Sequence, residues 1–448
     1  MSSAVAAIEA AVSLSASEAL FARARKVMPG GVSRNAVLRR PHPFYVARGE
    51  GCYVTDIEGV HRIDFSNNMT SQIHGHAHPA IVAAVTEQLG KGTAFSLATE
   101  AEVLFAEYMC SRSPGFDEIR FVNSGTEAVM SSLKAARAFT GRPKIAKVEG
   151  AYHGLYDYAE VSQTAGPSNW GDAEHPASVP VAHGTPVSAL NDVVVIPFND
   201  PERAIKILDL HASELACVLL DLMPHRVGMM KASAPFVRAL HEWTRKNGVL
   251  FVCDEVITFR SGYGGAQEWY DVQPDLTAMG KMIGGGFPVG ALAGRAEVMD
   301  VMDPWRAKVQ FPLSGTYSAN PVTMVAGLAA MKLFDRPAVQ RLNSLADLAR
   351  SRIAEAIRVA GVPACVTGSG SMFRIHMKPE VPQDYRSVYP TEAQARSTKV
   401  LLDHLAANGV LLIETCSGAL STPMTEKEID FLGEAMLGGF RKVKTQLI

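Results

Sequence analysis

The amino-acid sequence predicts an α/β protein with two parts: a large domain, in which helices flank a mostly parallel sheet, and a smaller α+β domain. The first observation is a series of short, nearly uninterrupted apolar runs, which are typical of strands covered on both faces. The second is that helical segments alternate with these runs, as in βα units. The runs are residues 119–122, 144–148, 193–196, 216–220 and 249–253, and the helices include residues 127–140 and 234–246.

The order of the elements divides the chain into three segments. Residues 1–74 form an N-terminal helix and small-domain segment, with a helix at about 15–28 and a small hairpin within 51–65. Residues 75–334 carry the βα alternation and form the large, ligand-binding domain. Residues 335–448 form the C-terminal small domain, because long helices at 339–359, 392–408 and from 425 onward accompany strands at 372–377 and 409–414.

The composition favours small-molecule chemistry. A chain of 448 residues, 47% of them hydrophobic, can bury a large core. The formal charge of −2 and the dispersed basic residues give no electrostatic basis for nucleic-acid binding. No apolar run is long enough to span a bilayer and no targeting pattern is found, so we expect no membrane association.

The cysteines are far apart in the sequence. They form no CxxC pair and have no histidines at metal-ligand spacing, so we expect reduced thiols in a cytoplasmic protein and no metal site. The six positions are Cys52, Cys110, Cys217, Cys253, Cys365 and Cys416.

One lysine, Lys281, stands between an apolar approach and a run of three glycines. Residues 275–290 read Asp-Leu-Thr-Ala-Met-Gly-Lys-Met-Ile-Gly-Gly-Gly-Phe-Pro-Val-Gly. The glycine run should not be helical, and it lets a bulky ligand approach the backbone. A lysine at this position could carry covalent chemistry. The alternative is a solvated lysine in a loop.

A helix is predicted to begin directly after the first apolar run, where residues 123–127 read Asn-Ser-Gly-Thr-Glu. Ser124 and Glu127 have the spacing of a capping box, and Gly125 permits a close turn. The free N–H groups of this helix start would point over the edge of the sheet, where a phosphate would suit them. An ordinary capped helix is the alternative.

Two adjacent carboxylates, Asp254 and Glu255, follow the run at residues 249–253. Ligands of parallel sheets bind at the carboxyl ends of the strands. A carboxylate buried there needs a cationic or hydrogen-bonding partner, and the protonated ring nitrogen of a cofactor would meet that need. A capping aspartate, or an ion pair with an arginine such as Arg260, would do so equally well.

Two further segments offer weaker signals. Tyr152 follows the run at residues 144–148 and could stack on a flat ring, or simply pack. Residues 314–321, Ser-Gly-Thr-Tyr-Ser-Ala-Asn-Pro, place hydroxyls next to a glycine, which suits an anionic oxygen.

Together these features describe a site for pyridoxal phosphate, whose aldehyde forms a Schiff base with lysine and whose ring accepts electrons. The sequence resembles the class III, fold type I aminotransferases over roughly residues 29–430. The resemblance is carried by five motifs in the family's order, at residues 123–127, 152–154, 254–256, 274–286 and 315–316.

The resemblance implies a role for each motif. Lys281 would form the Schiff base with the cofactor and then move the proton of the substrate, while Asp254 would pair with the pyridine nitrogen. Tyr152 and Val256 would pack on opposite faces of the ring. Thr316 would reach the phosphate bound by the neighbouring subunit, which implies a homodimer. The other residues expected to contact the cofactor are Ser124, Gly125, Thr126, His153 and Asp221.

The chain departs from the family at one of these positions. Where the family usually has Glu-Pro, this sequence has Asp221-Leu222, followed by Met-Pro-His-Arg226. The carboxylate is shorter by one methylene, and Arg226 adds a charge near the edge of the cofactor.

The substrate side resembles the branch that contains glutamate-1-semialdehyde aminomutase and the β-amino-acid aminotransferases. Residues 29–34 are similar to the segment that supplies a carboxylate-binding arginine in this branch, which makes Arg34 the candidate. Its alternative is a solvated surface arginine. An apolar or aromatic group of the substrate would lie against residues 67–72, with Asn68 and Met69 as the candidate contacts.

The predicted function is transfer of an amino group, by a ping-pong mechanism, from a carboxylate-bearing amine to a keto acid. The donor would be a β-amino acid or an aryl amino acid. Within residues 413–420, Cys416 stands where the aminomutase would have an acidic residue, and no arginine is present for a second carboxylate. The alternatives are glutamate-1-semialdehyde 2,1-aminomutase and a non-catalytic binding protein with the same fold.

Overall fold

The computed structural model describes residues 15–447. The strands are β1 (Val46–Glu50), β2 (Tyr53–Asp56), β3 (His61–Asp64), β4 (Glu118–Val122), β5 (Lys144–Val148), β6 (Val193–Ile196), β7 (Leu215–Leu220), β8 (Leu250–Asp254), β9 (Leu276–Gly280), β10 (Gly290–Gly294), β11 (Cys365–Thr367), β12 (Met372–His376), β13 (Val410–Leu411) and β14 (Ser417–Ala419).

The α-helices span Ala16–Ala24, Pro79–Lys91, Glu100–Cys110, Gly125–Thr140, Asp157–Glu160, Val187–Asn191, Pro201–Asp209, Ala234–Asn247, Ala296–Met299, Pro321–Leu333, Arg336–Ala360, Tyr385–Val388, Glu392–Ala407 and Glu426–Leu447. Short 3-10 turns lie at Pro29–Gly31, Asn35–Val37, Thr258–Ser261, Ala266–Trp269, Lys281–Gly284 and Asp300–Met302.

The large sheet has the strand order β4-β10-β9-β8-β7-β5-β6. Strand β10 is antiparallel to both β4 and β9, and the other pairings are parallel, which confirms the predicted fold class. Strands β9 and β10 were absent from the predicted set of runs. The sequence of β10, Gly-Ala-Leu-Ala-Gly, has little intrinsic strand preference, and pairing on both sides holds it extended.

Both faces of the large sheet are buried, as the uninterrupted apolar runs predict. In β7, Val218 and Leu220 pack into the apolar cluster on one face, while Cys217 and Leu219 pack into the cluster on the other. Only the ends of the strands are therefore open to a ligand. The carboxyl ends of β4, β5, β7, β8 and β9 lie at the same edge of the sheet.

Two smaller sheets complete the fold. One has the order β1-β2-β3-β13, so the C-terminal part of the chain adds a parallel strand to the N-terminal hairpin. The predicted strand at residues 409–414 is only two residues long in the structure. The other sheet, β11-β12-β14, is antiparallel. The predicted outer segments, 1–74 and 335–448, extend beyond the described residues.

The long C-terminal helices begin and end where local chemistry favours it. Asp335 caps the helix Arg336–Ala360 by accepting a hydrogen bond from the N–H of Ala338, and a proline lies in its first turn. Gly361, with a φ of 64°, ends it in the left-handed conformation.

Among the helices within residues 15–447, none is long and apolar enough to cross a membrane. The same residues contain no cluster of His, Cys, Asp and Glu side chains that could hold a metal ion.

Candidate active site

A cavity of about 390 Å³ opens at the carboxyl edge of the large sheet. It gathers residues that lie far apart in the sequence, and it includes every predicted site residue except Thr316. The predicted residues that line it are Arg34, Asn68, Met69, Ser124, Gly125, Thr126, Tyr152, His153, Asp221, Asp254, Val256 and Lys281.

The first wall of the cavity is the start of the helix Gly125–Thr140. The Ser124 hydroxyl accepts a hydrogen bond from the N–H of Glu127 at 3.1 Å. Only half of the expected capping box forms, because the Glu127 carboxylate accepts instead from the N–H of Asn123 at 2.6 Å. Within the described residues, the N–H groups of Gly125 and Thr126 have no hydrogen-bond acceptor, and they remain available to an anion.

Gly125 is required by close packing. A Cβ at this position would lie 2.6 Å from Cγ1 and 3.0 Å from Cγ2 of Val256. The glycine therefore lets the helix start approach Val256, which follows β8 and lines the same cavity.

Lys281 occupies the first position after β9, at the beginning of a 3-10 turn. Its φ is 51°, a left-handed value that non-glycine residues seldom adopt. The prediction that the glycine run is not helical is wrong for Gly284, which is the last residue of this 3-10 turn. Gly285 and Gly286 follow it with positive φ values. Burial lowers the pKa of the Lys281 amine, and the nearby Asp254 and Asp221 oppose the shift.

Asp254 ends β8 and is held from two sides. Its Oδ2 lies 2.7 Å from Nδ1 of His153, and its Oδ1 accepts from the N–H of Val256 at 3.0 Å. Since a carboxylate only accepts, the His153 proton lies on Nδ1, and Nε2 has no partner among the described residues. Burial lowers the pKa of His153 although Asp254 opposes the shift.

Asp221, the position that departs from the family, lines the cavity after β7. Its Oδ1 accepts from the N–H of Met223 at 2.9 Å. Burial raises the pKa of Asp221 and the negative charge of Asp254 adds to the shift, while Lys281 opposes it.

The other carboxylate, Glu255, faces away from the cavity. It accepts hydrogen bonds from the hydroxyl of Thr258 and from the N–H groups of Ala266 and Gln267. Burial raises its pKa to about 7. The alternative of an ion pair with Arg260 is wrong, because that guanidinium binds two backbone carbonyls and a serine hydroxyl instead.

Tyr152 lines the cavity, as does Val256, and exposes 37% of its surface. The guanidinium of Arg226 lies 5.7 Å from the centre of its ring, which is a cation–π distance. Burial raises the pKa of the Tyr152 hydroxyl, and Arg226 opposes the shift.

The rim of the cavity is formed by Arg34 and a left-handed turn, Asn67–Thr70. Arg34 is exposed and donates from Nη1 to Oδ1 of Asn68 at 2.6 Å. All four residues of the turn have positive φ values, between 48° and 74°. Each such residue costs about 1–2 kcal/mol relative to right-handed backbone, so contacts elsewhere must hold the turn in place.

Thr316 does not line this cavity. It lies in a separate small cavity with residues of the segment 94–102, including Phe95 and Leu97. Its neighbour Gly315 approaches the amide of Asn123, since a Cβ on Gly315 would lie 3.5 Å from Nδ2 of that residue.

Several lining residues were not predicted. After Lys281 the chain turns back, so that residues 286–289 close one side of the cavity. The glycine run before them is a sequence signal that could have identified this segment. Ser71, Asn123 and Gly154 also line the cavity and lie in segments that were predicted to form the site, although no role was assigned to them, whereas Val129 and Ile257 were not predicted.

The chain belongs to the class-III aminotransferase family, whose model matches residues 35–424. It is a pyridoxal-phosphate-dependent enzyme, and the predicted family and cofactor are confirmed. A curated relative, glutamate-1-semialdehyde 2,1-aminomutase of Methanothermobacter thermautotrophicus, is 38% identical over 370 residues, which cover 82% of this chain and 85% of the relative.

Solved structures of transaminases share both fold and sequence with the chain. An omega-transaminase from Sphaerobacter thermophilus is 45% identical, with a TM-score of 0.94 and coverage of 96% of this chain and 98% of the other. A beta-phenylalanine aminotransferase from Variovorax paradoxus is 31% identical, with a TM-score of 0.85 and coverage of 94% and 93%.

The cavity fits pyridoxal phosphate on two structural grounds. The helix start at Gly125 offers N–H donors that have no acceptor among residues 15–447, at a position where a Cβ would clash with Val256. At the other end, the buried carboxylate of Asp254 faces the cavity that also holds the Lys281 amine. These are an anion site, a partner for a protonated ring nitrogen and an amine for an aldehyde.

Proposed function

We propose that the protein is a homodimeric aminotransferase that takes the amino group of a β-amino acid or aryl amino acid and passes it to a keto acid by a ping-pong mechanism. The observation that carries the proposal is Arg34 at the mouth of the cavity that holds Lys281. Within the described residues Arg34 has no carboxylate partner, and its guanidinium binds only the neutral amide of Asn68. It can therefore bind the carboxylate of a substrate with paired hydrogen bonds.

Pyridoxal phosphate supplies an aldehyde that condenses with amines and a ring that takes up electron density from an adjacent carbon. We assign the covalent attachment and the proton transfer to Lys281, because burial favours its neutral amine, which can act as a base. Asp254 would accept a hydrogen bond from the ring nitrogen, and the contact with His153 holds its side chain in place. The N–H groups of Gly125 and Thr126 bind the phosphate.

Packing and position support the remaining assignments. Tyr152 and Val256 would enclose the ring between an aromatic and an aliphatic face. Ser124 fixes the helix start through its cap, and Asp221 lies close enough to Lys281 to influence its charge. Met69 lines the cavity beside Asn68, where the apolar group of the donor would pack.

We assign Thr316 to the site of a second copy of the chain. It lies outside the cavity of its own chain, on a surface with unusual apolar exposure: Leu97 exposes 83% of its surface and Tyr317 exposes 63%. Burial of such side chains between two subunits would stabilise a homodimer. The free state of all six cysteines agrees with a reducing, cytoplasmic location.

A second candidate is glutamate-1-semialdehyde 2,1-aminomutase, because curated relatives at 34–39% identity carry that name. The two candidates share the cofactor chemistry. An aminotransferase passes the amino group to a second molecule, whereas an aminomutase returns it to a different carbon of the same molecule. The two functions can be distinguished by testing which amine converts the cofactor in a single half-reaction.

The test follows the visible absorbance of the cofactor-loaded protein after one amine is added. We expect 3-amino-3-phenylpropanoate or an aryl amino acid to shift the spectrum, and a keto acid to restore it. Conversion by glutamate 1-semialdehyde alone would support the aminomutase instead. Borohydride reduction followed by peptide mass analysis should place the phosphopyridoxyl group on Lys281.

The carboxylate contact is tested with Arg34→Ala. The concentration of donor that half-saturates the half-reaction should rise by about tenfold or more, since a charged hydrogen bond contributes about 1.5–3 kcal/mol. Arg40→Ala is the matched control, because Arg40 is exposed on the same segment but does not line the cavity. An unchanged value for Arg34→Ala would transfer the role to another cation, with Arg226 beside Tyr152 as the first to test.

A further inference from the structure

The left-handed turn Asn67–Thr70 is a strained segment in the wall of the cavity. It contains no glycine, and its last residue, Thr70, is β-branched with a φ of 74°. Asn67 and Asn68 tolerate this conformation, but local sequence does not explain it at Thr70, because β-branched residues are strongly disfavoured there. Asn68 and Met69 of this turn line the cavity, as does the following Ser71.

Contacts from behind hold the turn. Arg260 is fully buried and donates to the carbonyl of Thr70 at 2.9 Å, to the hydroxyl of Ser371 at 2.7 Å and to the carbonyl of Leu420. At the other end of the turn, the Asn67 amide donates to the carbonyl of Ala419 at 2.5 Å. Both ends of the turn are thus tied to the same stretch of chain, residues 419–420.

Arg260 has no carboxylate partner within the described residues. A buried cation without a counter-charge is costly unless its N–H groups find hydrogen-bond acceptors. One of the acceptors of Arg260 is the carbonyl of Thr70, at the end of the strained turn. Asn68, in turn, accepts the hydrogen bond of Arg34. The contacts form a continuous chain from Arg260, through the turn, to the guanidinium at the rim.

We propose that the turn Asn67–Thr70 is the specificity-determining wall of the substrate cavity and that Arg260 is the residue that positions it. The proposal rests on the function proposed above and names the wall that selects the donor. Arg260 acts through the Thr70 carbonyl on Asn68, Met69 and Arg34, which face the substrate. Within the described residues it forms no hydrogen bond or ion pair with Lys281 or Asp254, so its loss should weaken donor recognition and leave the proton transfer intact.

The test compares Arg260→Lys with Arg112→Lys in the cofactor-loaded protein. Arg112 is the matched control, because it is also buried and donates to three carbonyls, those of Tyr263, Met331 and Phe334. Both variants should lose stability. Only Arg260→Lys should raise the KM for the donor, by about tenfold for one lost charged hydrogen bond, with kcat changed by less than about twofold.

A second variant tests the strain itself. Thr70→Gly keeps the carbonyl that Arg260 binds and makes the left-handed conformation accessible without a side-chain penalty. The Thr70 hydroxyl has no hydrogen-bond partner in the described residues, so no such contact is lost. We expect Arg260→Lys combined with Thr70→Gly to recover much of the donor KM. A double variant no better than Arg260→Lys alone would contradict the proposal.

If Arg260→Lys does not fold, Ser371→Ala removes the acceptor of Arg260 Nε and carries the same test, with an expected rise in donor KM of about threefold. Equal KM values in Arg260→Lys and Arg112→Lys, or an unchanged KM in Ser371→Ala, would overturn the role of Arg260. The function itself is tested separately: if the unaltered protein gives no amine-dependent spectral change, the aminotransferase assignment fails, whatever the variants do.

Discussion

Replacement of Lys147 by methionine should change how the stability of the protein depends on pH. Lys147 lies on β5, three residues before the segment that begins with Gly150, and its side chain is fully buried. Its amine donates to the carbonyls of Ala151 at 2.9 Å and Val161 at 2.6 Å. These bonds fix the two ends of the segment that carries Tyr152 and His153.

The magnitude follows from the pKa of Lys147. Burial lowers this pKa to about 7, with a further lowering by Arg226 and an opposing contribution from Glu160, whereas a lysine in the unfolded chain titrates near 10.4. Between these values the unfolded chain binds a proton that the folded protein does not, so the free energy of unfolding rises with pH. From about pH 7 to about pH 9 the rise from this one group is about 2 kcal/mol.

The assay is equilibrium urea unfolding of the unaltered protein and of Lys147→Met at both pH values, with protein and cofactor concentrations held equal. The stability difference between the two proteins should shift by about 2 kcal/mol in favour of the unaltered protein as the pH rises. Lys147→Gln is the control, since it keeps an N–H donor without a titrating amine and should show the same shift. A difference that stays constant with pH would refute the reasoning, because it would mean that burial does not lower the pKa of the amine.

Three further predictions concern the cofactor site. Gly125→Ala should weaken retention of pyridoxal phosphate by about tenfold, because its Cβ would meet Val256 at 2.6 Å; Gly90→Ala, with no atom within 4 Å of its Cβ, should leave cofactor titration unchanged. His153→Phe should slow the half-reaction about tenfold more than His153→Asn, which keeps a donor for Asp254, and equal rates would contradict a role for that bond. In mixed dimers of one unaltered chain and one Lys281→Ala/Thr316→Asp chain, only the unaltered chain keeps the lysine that binds the cofactor. If Thr316 reaches the partner's site, this unaltered chain should retain the cofactor poorly. Normal retention would mean that Thr316 serves the site of its own chain.

Most of the large sheet could be predicted from the sequence because its strands are buried on both faces. Such strands are mostly apolar, with Lys147 of β5 as a buried exception, and the runs in the sequence match β5, β6, β7 and β8 within about one residue. Strand β10 escaped prediction because its glycines and alanines pack closely between β4 and β9, and this depends on neighbours rather than on its own residues.

The candidate site also has a part that could be predicted from the sequence and a part that could not. The residues that end the strands, such as Asp254 and Lys281, could be located because a parallel sheet brings those ends together. The geometry of the substrate side could not be located. The two asparagines tolerate left-handed backbone, but Met69 and Thr70 do not indicate it, and their partner Arg260 is 190 residues away from the carbonyl it binds. Long-range hydrogen bonds, rather than local preference, set that wall.

The three carboxyls at the ends of β7 and β8 are held by different sets of hydrogen bonds. Glu255 turns inward to three donors and is used in packing. Asp254 is held by His153 and by a backbone N–H, whereas Asp221 has a single backbone donor and burial raises its pKa. Asp221 takes part in neither of the hydrogen bonds that hold Asp254. The shorter side chain at position 221 therefore leaves the contacts of the carboxylate assigned to the ring nitrogen intact, and the departure from the family does not argue against catalysis.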